Sequence, residues 1–194
     1  MSSAKPVAGI TVRDLVADVH ARFRRARLAF GHGTANAWDE AVYLVLHALK
    51  LPPDRLTPFL ARKVTVTEHE RALRLIGERI RRRVPAAYLT HEAWLGDTRF
   101  YVDERVIVPR SYLAELLHAR LAPWIAQPAR IKHALDLCTG SGCLAVLLAR
   151  TFPAARVDAV DISPAALAVA RRNVAAYRLK RRVRLLERPA VAVV

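Results

Sequence analysis

The sequence predicts an α/β chain: a helical front, a β-hairpin connection, and a β-α-β-α-β unit with parallel strands. Three patterns predict it. Near the start, Val12, Leu15, Val16, Val19 and Phe23 recur at helical spacing. Between residues 93 and 110 the apolar residues alternate instead, as in a half-buried hairpin. Beyond residue 131, short apolar runs at 132–138, 156–161 and 183–186 are separated by helical patterns, the mark of parallel strands joined by crossover helices. The expected divisions are 1–90, 91–125 and 126–194.

In the front, the first helix stops before Gly31-His32-Gly33. Asn36 can cap a second helix bearing Val42, Leu44, Val45, Leu46, Ala48 and Leu49, which ends at Leu51-Pro52-Pro53. Asp54 is expected to start a short third helix. Thr67 with Glu70 fits a capping box opening a helix through Leu73, Leu75, Ile76 and Ile80. That helix ends in Arg81-Arg82-Arg83, cations that suit the negative end of its dipole. In the connection, Gly96-Asp97 and Asp103-Glu104 read as turns and Pro109 as the end of the second strand. Ser111 is expected to cap a helix over 112–121, stopped by Pro123. In the last part, helices are expected over 142–151 and from Ser163-Pro164, an N-cap followed by proline at the first helical position. The stretch 188–194 matches no element.

Composition limits the function classes. The 194 residues are 53% hydrophobic and 25% charged, as in a globular chain of one or two domains. The formal net charge is +15, with 27 Arg and 5 Lys. Such an excess fits an anionic partner such as RNA, and equally fits solvated basic faces. Cys138 and Cys143 have no second ligand pair, and a disulfide between them would distort a turn, so reduced thiols in the cytoplasm are expected. His20, His47 and His69 lack a carboxylate or cysteine at ligand spacing, and no metal is expected. The apolar run 143–149 is far shorter than the roughly 20 residues a membrane span needs. The run 7–12 is broken at once by Arg13 and Asp14, so it forms no signal-peptide core, and no membrane partner is expected.

The chemistry concentrates in Leu135-Asp136-Leu137-Cys138-Thr139-Gly140-Ser141-Gly142-Cys143, with Asp161 at the end of the next apolar run. A strand that ends in a glycine turn opening directly into a helix presents backbone N–H groups at the helix N-terminus. An acid one strand later can accept ribose hydroxyls. This is the pattern of a nucleoside-cofactor site. Gly140-Ser141-Gly142-Cys143-Leu144-Ala145 also satisfies G-x-G-x-x-G/A, with Asp161 19 residues beyond Gly142 (161 − 142), so a nicotinamide dinucleotide is one reading. Asp136 argues for another. Its charge would repel a pyrophosphate but would suit the ammonium end of S-adenosylmethionine, which has no phosphates to cradle. A purely structural turn is the third reading.

The segment 136–143, preceded by Gly96, Phe100-Tyr101-Val102-Asp103 and Arg105-Val106-Ile107-Val108-Pro109-Arg110-Ser111, resembles the protein-glutamine methyltransferases, a family that includes the enzymes modifying peptide-chain release factors. Cys138 and the Pro109-Arg110-Ser111 form look closest to the branch that methylates a large-subunit ribosomal protein; Tyr112 departs from the small residue or proline expected there. The similarity runs over roughly residues 12–187 and is tightest over 94–173.

The resemblance implies a helical substrate-binding domain, a hairpin linker and an incomplete Rossmann-like S-adenosylmethionine-dependent methyltransferase domain. It implies that Cys138, Thr139, Gly140, Ser141 and Gly142 lie along S-adenosyl-L-methionine, that Asp161 takes the ribose hydroxyls, and that Asp136 stands near the amino-acid end. Arg110 is placed near the active site, or else in a linker salt bridge. The family positions its glutamine amide with an Asn-Pro-Pro-Tyr loop after a fourth strand, and no Asn-Pro-Pro occurs here. The expectation is therefore a truncated or frame-shifted member, inactive as it stands, with Ala134, Leu135 and Leu137 on an open sheet edge and a weakened cofactor site. Its expected partners are a large-subunit ribosomal protein and, weakly, ribosomal RNA. The other readings are a release-factor glutamine methyltransferase and a non-catalytic fragment that binds ribosomal protein or RNA.

Overall fold

The computed structural model describes residues 6–31 and 33–189, so His32 and the tail 190–194 lie outside the described residues. The chain forms two compact units, Met1–Thr90 and His91–Val194.

The first unit runs β1 (Pro6–Thr11), α1 (Val12–Arg25), α2 (Ala37–Leu49), a single 3-10 turn at Thr57–Phe59, β2 (Lys63–Thr65), α3 (Val66–Arg82) and α4 (Ala86–Thr90). The apolar stripe of α1 (Val12, Leu15, Val16, Val19 and Phe23) packs against Leu44, Val45 and Ala48 of α2 and Ala72 and Ile76 of α3. Asn36 caps α2 as its sequence position requires, accepting from Trp38 N and Asp39 N at 2.9 Å. Three expectations give way. The antiparallel pair β1–β2 joins residues more than 50 apart and so leaves no local signal. Because β2 stays paired through Thr65, the capping box of α3 is Thr65 with Glu68 and not Thr67 with Glu70. The helix expected from Asp54 is only the 3-10 turn.

The arginine run at the end of α3 does more than balance a dipole. Arg83 takes a left-handed C-cap conformation, and its guanidinium donates to the carbonyls of Ala26 (2.9 Å) and Arg27 (3.4 Å), just past the end of α1. Deeper in, Arg79 and Glu40 are both 2% exposed and form an ion pair at 2.6 Å. Arg79 also donates to Ala29 O at 2.9 Å, and Glu40 accepts from Thr34 Oγ1 at 2.9 Å. Each member of the pair thus has a hydrogen bond beyond its ion partner, which helps to offset the burial of charge.

The second unit runs β3 (Ala93–Leu95), β4 (Thr98–Phe100), α5 (Leu113–His118), a 3-10 turn at Pro128–Arg130, β5 (His133–Leu137), α6 (Cys143–Thr151), β6 (Arg156–Asp161), α7 (Pro164–Ala176) and β7 (Val183–Glu187). The hairpin pairs Ala93 with Phe100 and Leu95 with Thr98 around Gly96, whose φ of +61° suits the turn. Its second strand ends at Phe100, well short of Pro109. Past Phe100 the ladder tails off with one long bond, Val102 N to His91 O at 3.5 Å, while the outward-facing N–H and carbonyl of Tyr101 are both taken by the side chain of Asn173, at 2.8 and 2.9 Å. Beyond Tyr101, the alternation survives as burial of Val102, Val106 and Val108 in an irregular segment. α5 is shorter than the expected 112–121. Ser111 still serves its start, its hydroxyl accepting from Leu113 N at 3.2 Å.

The sheet is parallel in the order β5-β6-β7. Leu95 and Phe100 of the hairpin join Ala145, Val146 and Ala149 of α6, Val157 and Ala159 of β6, and Val174 in one core cluster, so the segment set apart as 91–125 is part of this unit's core. β5 occupies one edge, with Leu135 44% and Leu137 39% exposed.

Removing one partner of the buried pair strands a charge. Glu40→Ala is expected to cost about 3 to 5 kcal/mol in urea denaturation. The double change Glu40→Met with Arg79→Met is expected to come within about 1 to 2 kcal/mol of the parent, because it removes both desolvation penalties together.

Candidate cofactor site

The three parallel strands end at the same rim. β5 leads into the turn 138–142, β6 ends at Asp161, and the register sets Glu187 of β7 beside Asp161. Ligands of open parallel sheets bind outside these carboxyl ends. The turn is wound by left-handed residues: Cys138 at φ +58°, Gly140 at +53° and Gly142 at +76°. At Gly142 glycine is required twice over. The conformation is left-handed, and a Cβ there would lie 3.0 Å from Cβ and 3.2 Å from Cα of Ala170, bringing α6 and α7 into close approach.

Two hydrogen-bonding side chains hold the turn from different elements. Asp161 Oδ2 accepts from Gly140 N at 2.9 Å, while its Oδ1 accepts from Ser163 N at 2.9 Å and so also fixes the start of α7. Asn173 of α7, 2% exposed, donates to Ser141 O at 2.8 Å while holding Tyr101. Tyr101 is fixed further by its hydroxyl bond to Asp103 (2.9 Å) and by the guanidinium of Arg172, 3.5 Å over its ring.

Asp136 is 7% exposed and accepts from Thr139 Oγ1 at 2.6 Å. It also lies close enough to the Ala145 N–H, in the first turn of α6, for that dipole to favour its ionised form. Burial pushes its carboxyl above the ordinary aspartate range, the Thr139 hydrogen bond and the Ala145 N–H pull it back, and the nearby charge of Asp161 raises it again. Among the described residues no cationic side chain pairs with it. Burial likewise pushes the Cys143 thiol up, whereas Cys138 is exposed on the turn; both are free.

The sequence-derived candidates Asp136, Cys138, Thr139, Gly140, Ser141, Gly142 and Asp161 thus converge at one rim of the sheet. Arg110 stands exposed in the irregular segment before α5, with no hydrogen bond or ion pair among the described residues. Sequence reasoning missed Asn173 and Tyr101. A lone asparagine in an Ala-rich helix carries no signal until its burial is known. Among the described residues no group of three or more His, Cys, Asp or Glu is placed to hold a metal, and no helix is long and apolar enough to cross a membrane. A cavity of about 670 Å³, lined by Gly96, Asp97, Glu115, His118 and Arg150, lies at the far end of α6. The nine residues of that helix set it roughly 13 Å from the turn, so it is separate from this site.

The residues present fit S-adenosylmethionine better than a dinucleotide. Two mutually repelling carboxylates flank the turn, which disfavours a pyrophosphate and favours a cationic ligand. Asp161 uses two of its roughly four lone-pair sites on backbone, leaving acceptors for ribose hydroxyls.

Comparison with known proteins agrees. Residues 134–192 match the family model described as a methyltransferase domain. The chain is 59% identical over 175 residues, 90% of its length, to the ribosomal protein uL3 glutamine methyltransferase of Bordetella pertussis, and covers 59% of that protein. The chain is homologous to these glutamine methyltransferases. The proteins of the same name from Burkholderia pseudomallei and Neisseria meningitidis serogroup B are 55% and 53% identical over 94% and 91% of the chain, which covers 60% and 58% of them. The chain thus spans about three-fifths of the length of the glutamine methyltransferases it matches. Their name is that of the ribosomal-protein branch to which Cys138 and Pro109-Arg110-Ser111 pointed.

Gly142→Ala is expected to lower stability by about 1 to 3 kcal/mol, through overpacking and a strained φ. Adding Ala170→Gly removes the 3.0 Å Cβ contact but leaves the 3.2 Å approach to Cα and the strained φ, so only part of the loss is expected to return in thermal melts. Asn173→Ala leaves buried backbone groups of Tyr101 and Ser141 unmatched, and about 1 to 3 kcal/mol is expected by the same measurement.

Proposed function

We propose that this chain binds S-adenosyl-L-methionine along Cys138, Thr139, Gly140, Ser141 and Gly142 and serves methyl transfer to a glutamine side-chain amide of ribosomal protein uL3. The observation that carries this reading is the buried, cation-free carboxylate of Asp136 beside the glycine turn. Asp136 would hold the ammonium group of the cofactor's amino-acid end, and Asp161 the ribose hydroxyls, while Asn173 keeps the turn in register. The bound cofactor supplies a methyl group on a cationic sulfur, which the amide nitrogen accepts as it loses a proton. An amide nitrogen is a poor nucleophile, so positioning is the main lever. The uL3 substrate and a cytoplasmic location follow the names of the relatives and the free thiols. The helical unit is assigned to the protein substrate, Arg110 to the vicinity of the reacting groups, and a weak ribosomal RNA contact to the chain's arginine excess.

Calorimetric titration with S-adenosylhomocysteine tests the site. Binding is expected, NAD is expected to give none, and Asp161→Ala should weaken the affinity about tenfold or more, as for loss of hydrogen bonds to a charged acceptor. Because the Asp136 carboxyl is raised, its ionised form is lost at a higher pH than for an ordinary aspartate. Affinity should therefore climb as the pH rises through its folded-state value, and Asp136→Asn should bind weakly and without that climb. NAD binding with no response to S-adenosylhomocysteine would reverse the assignment.

A further inference from the structure

The first unit gathers cations where its two long helices end. The last turn of α1 carries Arg22, Arg24 and Arg25, and Arg27 follows in a left-handed conformation at φ +48°. The last turn of α3 carries Arg79, Arg81 and Arg82, followed by Arg83. The two ends are tied together by Arg83, whose guanidinium spans the carbonyls of Ala26 and Arg27. These groups differ in what neutralises them. Arg22 pairs with Asp18, Arg81 with Glu78 and Arg79 with Glu40. Arg24, Arg25, Arg27 and Arg83 have no carboxylate partner among the described residues, and all four are exposed. Arg24, Arg25 and Arg27, with Ala21, line a shallow open hollow.

We propose that this hollow, flanked by Arg83, is a phosphate-binding surface for RNA. The inference rests on the RNA contact proposed above and gives it a location, in the unit that does not carry the cofactor turn. Guanidinium groups present planar forks of donors that match two phosphate oxygens at once, and they remain charged at any physiological pH. A duplex or hairpin offers a rigid array of such phosphates to a rigid array of cations. Arg83 provides the rigidity here, because it fixes the end of α1 against the end of α3. A membrane surface would also supply phosphates, but stable peripheral binding of that kind adds an apolar anchor to the attraction of the cations. The hollow is lined by alanine and arginine alone, so it offers none.

Fluorescence polarisation of the purified chain with a labelled RNA hairpin tests the proposal, using the triple variant Arg24→Gln, Arg25→Gln, Arg27→Gln. A second triple, Arg171→Gln, Arg178→Gln, Arg181→Gln, changes the net charge equally at exposed positions of the other unit. The parent is expected to bind with affinity that falls steeply with salt. The first triple should lose about tenfold or more, and its salt slope should shrink by about two to three units, roughly one for each phosphate contact removed. The second triple should stay within about threefold of the parent. Equal losses in both triples would overturn the surface while leaving the RNA contact standing. No binding by the parent at low salt would overturn both. Binding to phosphatidylserine vesicles in preference to RNA would replace the nucleic acid with a membrane. None of these outcomes depends on S-adenosylhomocysteine binding, which reports on the cofactor site separately.

Discussion

Everything at the cofactor rim depends on how the turn between β5 and α6 is held. Of its three left-handed residues two are glycines, which take that conformation readily, while Cys138 is held there against its local preference. The turn is kept in shape by Asp161, reaching from the end of β6 to the Gly140 N–H, and by Asn173, reaching from α7 to the Ser141 carbonyl. Both anchors have second duties. Asp161 also starts α7 through Ser163, and Asn173 also holds Tyr101, just past the hairpin. The site is therefore built from four separate segments that meet through two side chains. Its geometry is a property of the whole second unit rather than of the glycine motif.

Asp136 shows how a structural role and the proposed binding role can share one group. As the partner of the Thr139 hydroxyl it needs only an acceptor, which a neutral carboxyl supplies. As a partner for an ammonium group it needs the charge. Burial has moved its carboxyl toward the neutral side, so the charge is costly until a cation arrives to compensate. A group of this kind favours cationic ligands without admitting the anionic ones that a glycine turn at a helix N-terminus would otherwise attract.

Elements fixed by local chemistry were legible in the sequence. Asn36 starts α2, Ser163-Pro164 starts α7, and the run 156–161 is β6 as read. The turn residues and Asp161 were legible as well, because strand, turn, helix and acid follow one another at short and regular separations. What stayed hidden depends on partners far away in the chain. The pairing of β1 with β2 needs residues more than 50 apart, and it moved the cap of α3 from Thr67 to Thr65. The alternation at 101–108 looked like strand because burial alternates there, yet beyond the bond from Val102 N to His91 O no partner strand among the described residues pairs with it. Arg79 carried no signal of its own in the sequence. Only the position of Glu40 on α2 makes it a core residue.

The close approach of Gly142 to Ala170 couples two places that are far apart in sequence. A glycine motif is usually thought of as a property of its own few residues, judged by whether each glycine is retained. Here the motif extends in practice to a position 28 residues downstream (170 − 142) that carries no chemistry at all. A residue in the middle of an ordinary-looking alanine-rich helix thus shares the space that the turn of the proposed cofactor site occupies.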